Sequence, residues 1–303
     1  MPGTHPRTGR RGALVLFALG LLWLAGYLWS AHASVIGTGD DPVIVVTEAA
    51  LALPGLVAAT MLCGAAASNA LGRRSARAWA GLALAAGCGL LVGGLAGGLI
   101  LFGYGHRSSV VVLAWAVLAA GIIGGLLGSL RPVDVVTAGI AATFGPFLLD
   151  FLPNLWQGQL LRLFGAGSTV ESQFNAVRNL SLTEAVAAGL VAGLVAFWYL
   201  RRREPRQGLL GYLAAGATPG VLLLVGEVVT RIGGARLFDA AGRLSEFDQV
   251  VIDYTNGSRL NHGLVVLFAG GVVALFCFGA TLKPRQRTAA EPAEVDERET
   301  ADA

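Results

Sequence analysis

Eight long apolar runs constrain this chain more than any other feature. They are Gly12 to Ser30, Val43 to Leu71, Ala78 to Phe102, Ser109 to Leu130, Val133 to Leu152, Thr183 to Leu200, Gly208 to Thr230 and Leu260 to Leu282. Each is about 18 to 29 residues long, and a helix of ~20 residues crosses a ~30 Å hydrocarbon layer. None shows the 3.6-residue alternation of a surface helix or the two-residue alternation of an outer-membrane strand. Backbone in lipid must satisfy its own N–H and C=O groups, so the expected fold is all-α, a polytopic integral membrane protein with about eight transmembrane helices. Composition agrees: 54% of the 303 residues are hydrophobic and 14% charged, where a soluble domain carries about 25% charge.

The basic residues set an expected orientation. Arg7, Arg10 and Arg11, then Arg73, Arg74 and Arg77, then Arg131, then Arg201, Arg202, Arg203 and Arg206, then Lys283, Arg285, Arg287 and Arg298 fall on one side. The other side keeps Arg107, Arg162, Arg178, Arg231, Arg236, Arg243 and Arg259, scattered through longer loops. The positive-inside rule then makes both termini cytoplasmic, in a multi-pass protein of the cell membrane. Residues 1–11 form a basic cytoplasmic N-terminus, 12–282 the transmembrane domain, and 283–303 a disordered acidic tail with nothing to bury. Ala31-His32-Ala33 has the small-x-small form of a signal-peptidase site, and cleavage after Ala33 would leave seven spans. The run before it is long enough to span, which favours its retention. A single lysine, Lys283, among 22 basic residues reads as the codon usage of a high-GC bacterium.

Two outer loops exceed a turn, 153–182 and 231–259. The first opens with "PNLWQGQLLRLF", whose apolar residues recur at helical spacing, so a short helix should lie on the interface with Trp156 at headgroup depth. The second contains "QVVIDYTNGS", which reads as a strand ending in an Asn256-Gly257 turn. "SQFNAV" at Ser172 and "SEFDQV" at Ser245 match at Ser, Phe and Val, and the same offset of 73 carries Pro146 onto Pro219. The second half thus reads as a tandem repeat of a two-helix hairpin.

An ionised side chain inside lipid costs ~2.5 to 3.5 kcal/mol even on mild scales, so each one needs a local explanation. Asp134 can pair with Arg131, Glu184 closes a capping box with Ser181 at the start of span six, and Glu227 can pair with Arg231 one turn on. Glu48 and Asp150 have no such neighbour. With Glu227 they place three carboxylates at similar depth beneath the outer surface, on helices that contain Pro54, Pro146 and Pro219. If their faces converge they form an acidic vestibule for a cation, a proton or an amine. The alternative is that each snorkels to the headgroups or pairs with Arg107, Arg162 or Arg178. Pro219 and Gly220 are either a helix break lining a cavity or an ordinary kink.

Glycines at four-residue spacing, Gly89, Gly93 and Gly97 in span three and Gly121 and Gly125 in span four, mark close-packing helix faces. Cys63, Cys88 and Cys277 lie in separate apolar runs and read as small packed side chains. No phosphate loop, HExxH or GxSxG occurs and no two histidines share a turn, so no cofactor, metal or enzymatic activity is expected. The segment "GAAASNALGRRSAR" is similar to the inner loop of major-facilitator transporters, but it has one residue too many and carries Ser68 and Asn69 where acid and base would stand, so it assigns nothing. A net charge of +3 excludes a nucleic-acid partner. Two functions remain: a transporter or permease-like component for a small or cationic solute, or a non-catalytic membrane scaffold. The expected partners are membrane lipid and, for the scaffold, another membrane or envelope protein bound through the two outer loops.

Overall fold

The computed structural model describes residues 7–36, 42–71, 78–104, 108–167, 169–203, 207–242 and 246–281. Among them are nine helices and no strand: α1 Arg7–Ile36, α2 Pro42–Leu71, α3 Ala78–Tyr104, α4 Ser108–Gly128, α5 Val133–Leu155, α6 Gln157–Leu163, α7 Val170–Arg203, α8 Leu209–Gly242 and α9 Glu246–Gly279. Seven of these are long and apolar enough to cross a membrane, and α5 has a shorter apolar stretch, Val133–Leu149. The surface is greasier than the interior. Phe102, Trp79 and Phe276 are 92%, 85% and 75% exposed, while the buried positions hold many alanines and several threonines. That distribution suits lipid as the solvent, because lipid offers no reason to bury large apolar side chains.

Small residues therefore decide how closely the helices approach. Along α3 and α4 the expected glycine faces meet in antiparallel contact: a Cβ on Gly121 would stand 2.5 Å from the Gly89 carbonyl oxygen and 2.7 Å from the Gly93 Cα. The other side of α4 sits on α2, where Gly124 lies against the Met61 carbonyl and Gly128 against that of Ala65. Helix α2 is the hub, packed against α1, α3, α4, α5 and α8. Near its end Asn69 donates to the Thr137 hydroxyl of α5 at 2.9 Å, joining two helices through buried groups. Ser68 and Asn69 are thus interior helix residues and not part of a loop.

The second half packs α5, α7, α8 and α9 together. Helix α8 runs unbroken through Pro219 and Gly220. Both are buried, and Gly220 leaves room for the α9 backbone at Leu267. The break expected there is a packing contact. Helices α7 and α9 run parallel, with Gly193 against the Gly270 carbonyl, Gly189 against Val266, and the Ser181 and Ser258 hydroxyls 3.3 Å apart. This register corresponds to a separation of 77 residues, one helical turn from the offset of 73 in the sequence match. At the end of α7 the guanidiniums of Arg201, Arg202 and Arg203 stack on Phe197, Trp198 and Tyr199, with Arg202 closest at 3.8 Å from the Trp198 ring. This basic end of the bundle also holds the start of α1, since Gly12 abuts Arg203 and Tyr199.

Three local expectations are corrected. The segment 153–182 is mostly helix, with α5 continuing to Leu155, α6 forming as expected, and α7 starting at Val170. The cap of α7 is Thr169, whose hydroxyl accepts from the Ser172 N–H at 3.3 Å, so Ser181 and Glu184 lie inside the helix and form no capping box. The strand-like "QVVIDYTNGS" belongs to α9. A strand there would need a ladder partner, and no strand occurs among the described residues, so helical bonding satisfies its backbone instead. Among the described residues no ion pair joins Asp134 to Arg131, because Arg131 precedes Pro132 outside α5 and the helical spacing does not extend to it.

Candidate functional site

A cavity of about 300 Å³ lies toward the end of the bundle opposite the stacked arginines, and residues of six helices line it. One side is apolar. Tyr27 of α1, Pro54 and Ala58 of α2 and Phe147 of α5 form it, held by Trp23, which stacks on Phe147 at 5.8 Å with planes 2° apart and meets Tyr27 edge-on at 5.9 Å. The other side is polar, because three helices each turn a short polar face inward. Helix α7 supplies Ser181 and Glu184, α8 supplies Glu227 and Thr230, and α9 supplies Ser258, Arg259 and His262. Spacings of three and four residues put each set on one stripe of its helix.

Glu227 is the electrostatic centre of this wall. It is 4% exposed and accepts from Arg231 Nε at 2.8 Å and from Arg259 Nε at 3.1 Å. The first partner is the one its spacing predicts, four residues on. The second comes from α9, 32 residues away in the chain, and ties α8 to α9. A buried carboxylate carries a large desolvation cost unless charge and hydrogen bonds return it, and two guanidiniums that reach toward solvent, 45% and 27% exposed, do so without being buried themselves.

Thr230 differs from the other helical threonines. Thr60, Thr137, Thr143, Thr183 and Thr218 each donate to the carbonyl four residues earlier, at 2.7 to 2.8 Å. Thr230 is 1% exposed, lines the cavity, and its hydroxyl has no hydrogen-bond partner. A buried hydroxyl without a partner is uncommon, and its place on this wall makes it a group available to a ligand.

Of the sequence candidates, the cavity brings together Glu227 and Pro54. Glu48 is half-buried near the start of α2 and is not among the lining residues. Asp150 belongs to α5, and its side chain lies outside the described residues, although Phe147 one turn earlier forms part of the wall. Pro146 and Pro219 are buried and do not line it. Sequence reasoning missed Glu184, Arg259 and His262. Glu184 was assigned to a cap that does not exist, and Arg259 to a loop that is helix. The available signal was the triplet Ser258, Arg259, His262 just before an apolar run, a polar stripe at helical spacing. Among the described residues no group of three or more His, Cys, Asp or Glu could hold a metal ion. Cys63 and Cys88 are buried and Cys277 half-buried, all three as free thiols.

Comparison with protein-family models, with curated proteins and with solved structures returns no match to this chain.

Proposed function

We propose that the protein is a permease-like carrier of the cell membrane and that the cavity binds its solute. The observation that carries this reading is the gathering of Glu184, Glu227, Arg259 and His262 around a hydroxyl, Thr230, that no group of the protein engages. Ionisable groups at membrane depth are costly and cluster where polar cargo must be held. A hydrophobic bundle needs none of them to pack. Glu227 is already neutralised by two arginines, so a bare cation would find only part of the acidic charge that the carboxylates suggest. A small, net-neutral solute with both donors and acceptors, such as a zwitterion, suits the wall best, and the apolar side of Tyr27 and Phe147 would take its carbon skeleton.

With the basic end in the cytoplasm, as the positive-inside rule favours, both termini are inside, α5 is the eighth span, and the cavity faces outward. An apolar cluster that includes Val135, Leu200, Tyr212 and Ala274 then lies on the cytoplasmic side of the cavity. The tandem-hairpin reading is supported by α7 and α9, which are both 34 residues long and run parallel. In this reading the protein binds and moves solute without chemistry of its own.

The test is a ligand-induced thermal shift of the purified protein against small zwitterions, amines and organic acids, followed by uptake of the hits into proteoliposomes. Binding and uptake should be lost in Thr230→Val and Arg259→Gln. Hits that bind both variants as tightly as the parent would remove the cavity from the account.

One observation favours the scaffold reading. Helices α7, α8 and α9 each have 34 residues, about 51 Å of helix against a ~30 Å hydrocarbon layer, so they project well beyond it and offer a surface to a partner. Loss of function on shortening the 246–256 turns, with solute binding intact, would support that reading over transport.

A further inference from the structure

A second polar recess lies beside the first, on the other side of the α7–α9 seam. It encloses about 390 Å³ and is lined by Arg178, Ser181, Leu182 and Ala185 of α7 and by Gly257, Ser258, Asn261 and His262 of α9. Ser181, Ser258 and His262 line both spaces. The partition between them is therefore thin, and its narrowest element is the pair of serine hydroxyls, 3.3 Å apart. Elsewhere the same two helices are clamped. Toward the basic end Gly189 lies against Val266 and Gly193 against the Gly270 carbonyl, leaving no space for a solute.

The chemistry of the seam changes along its length. Where the helices are clamped the contacts are backbone and apolar, and parting them would strand carbonyls in hydrocarbon. At Ser181 and Ser258 the contact is one hydrogen bond between two short side chains, each able to trade its partner for water or for a polar solute. No bulky side chain joins them across this seam to plug it. Arg178, exposed one turn from Ser181 and away from the clamped region, stands at the recess's opening and would meet a solute first.

We propose that this recess is an antechamber that receives a small hydrophilic solute, and that the Ser181–Ser258 pair is the constriction through which the solute enters the cavity. The proposal rests on the cavity being the binding site and adds its route of entry, lateral between α7 and α9. His262, facing both spaces, is in contact with the solute before and after passage. Arg178 and Asn261 make the antechamber a site for a solute carrying an anionic or carbonyl group, the part that leads into the constriction and is received by Arg259 beyond it.

The test needs no identified solute. A reporter thiol is placed inside the cavity by Thr230→Cys, with Cys277→Ala removing the one native thiol that is not buried, and the protein is held in nanodiscs. The rate of modification by the hydrophilic cation [2-(trimethylammonium)ethyl] methanethiosulfonate is measured alone and with substitutions at the seam. Widening the constriction with Ser181→Ala and Ser258→Ala should keep or raise the rate. Closing it with Ser181→Leu should lower the rate at least tenfold, and Ser181→Val serves as the milder plug if the leucine variant does not assemble. A rate unchanged within twofold by either plug would overturn the lateral route while leaving the cavity as the binding site. A reporter that stays unmodified in the parent and in the widened variant alike would remove the water-accessible cavity, and with it the carrier reading.

Discussion

Replacing Thr230 with valine should make the protein more stable, the reverse of what the same change does at other buried threonines. The hydroxyl of Thr230 is 1% exposed and lacks a partner, whereas Thr60 and Thr143, both 0% exposed, donate to the Leu56 and Gly139 carbonyls at 2.7 and 2.8 Å. A buried polar group left without a hydrogen bond costs about 1 to 3 kcal/mol, and a satisfied one contributes about 0.5 to 1.5 kcal/mol net. Valine matches threonine in shape, so cavity terms nearly cancel. Thr230→Val should therefore gain about 1 kcal/mol and Thr60→Val or Thr143→Val lose about 1 kcal/mol, a separation near 2 kcal/mol and roughly 30-fold in the folded-to-unfolded ratio. The assay is reversible unfolding by dodecyl sulfate in mixed micelles, with the three variants measured side by side. If Thr230→Val loses as much as Thr60→Val, its hydroxyl is bonded within the fold, and the argument that it is held for a ligand fails.

Other expectations follow from individual contacts. In a double-mutant cycle on Glu227→Gln and Arg259→Gln, the coupling should be about 1 kcal/mol, moderated by the 27% exposure of the arginine, and additive losses would contradict the pair. Gly121→Leu would drive a side chain into the backbone of Gly89 and Gly93 and should cost about 3 kcal/mol or more, while Gly98→Leu, with open space at its Cβ, should stay within about 0.5 kcal/mol. Topology follows from where reporters are fused: after Arg203 they should be active only if folded in the cytoplasm, and after Gly165 only if exported. The reverse pattern would invert the orientation read from the arginines.

What was legible in the sequence was what lipid dictates. A run of twenty apolar residues leaves the backbone one conformation, so seven of the spans are plain in the amino acids, and glycines at four-residue spacing announce the α3–α4 contact before any coordinates. Helix ends outside the apolar core were not legible. Once water is available, a polar segment such as "ESQFNAVRNLSLTE" satisfies its backbone equally well as loop or helix, and only the cap at Thr169 and the neighbouring α9 settle the matter. That error propagated to the site. Glu184 and Arg259, placed outside the membrane helices, were explained away singly, although inside α7 and α9 they face one cavity. Glu227 shows both sides of the problem: its partner at i+4 is written in local spacing, and its partner 32 residues later exists only through the packing of α8 on α9.

The account depends on the polar faces of α7 and α9 meeting beside the cavity in the register that sets Ser181 against Ser258. Cysteine pairs read that register directly. With the native thiols removed, Ser181→Cys combined with Ser258→Cys should form a disulfide under mild oxidation in membranes, while Ser181→Cys combined with Tyr254→Cys, at the offset of the sequence match, should remain reduced. Crosslinking of the second pair and not the first would place α9 one turn away, separate Arg259 and His262 from Glu184, and contradict the site described.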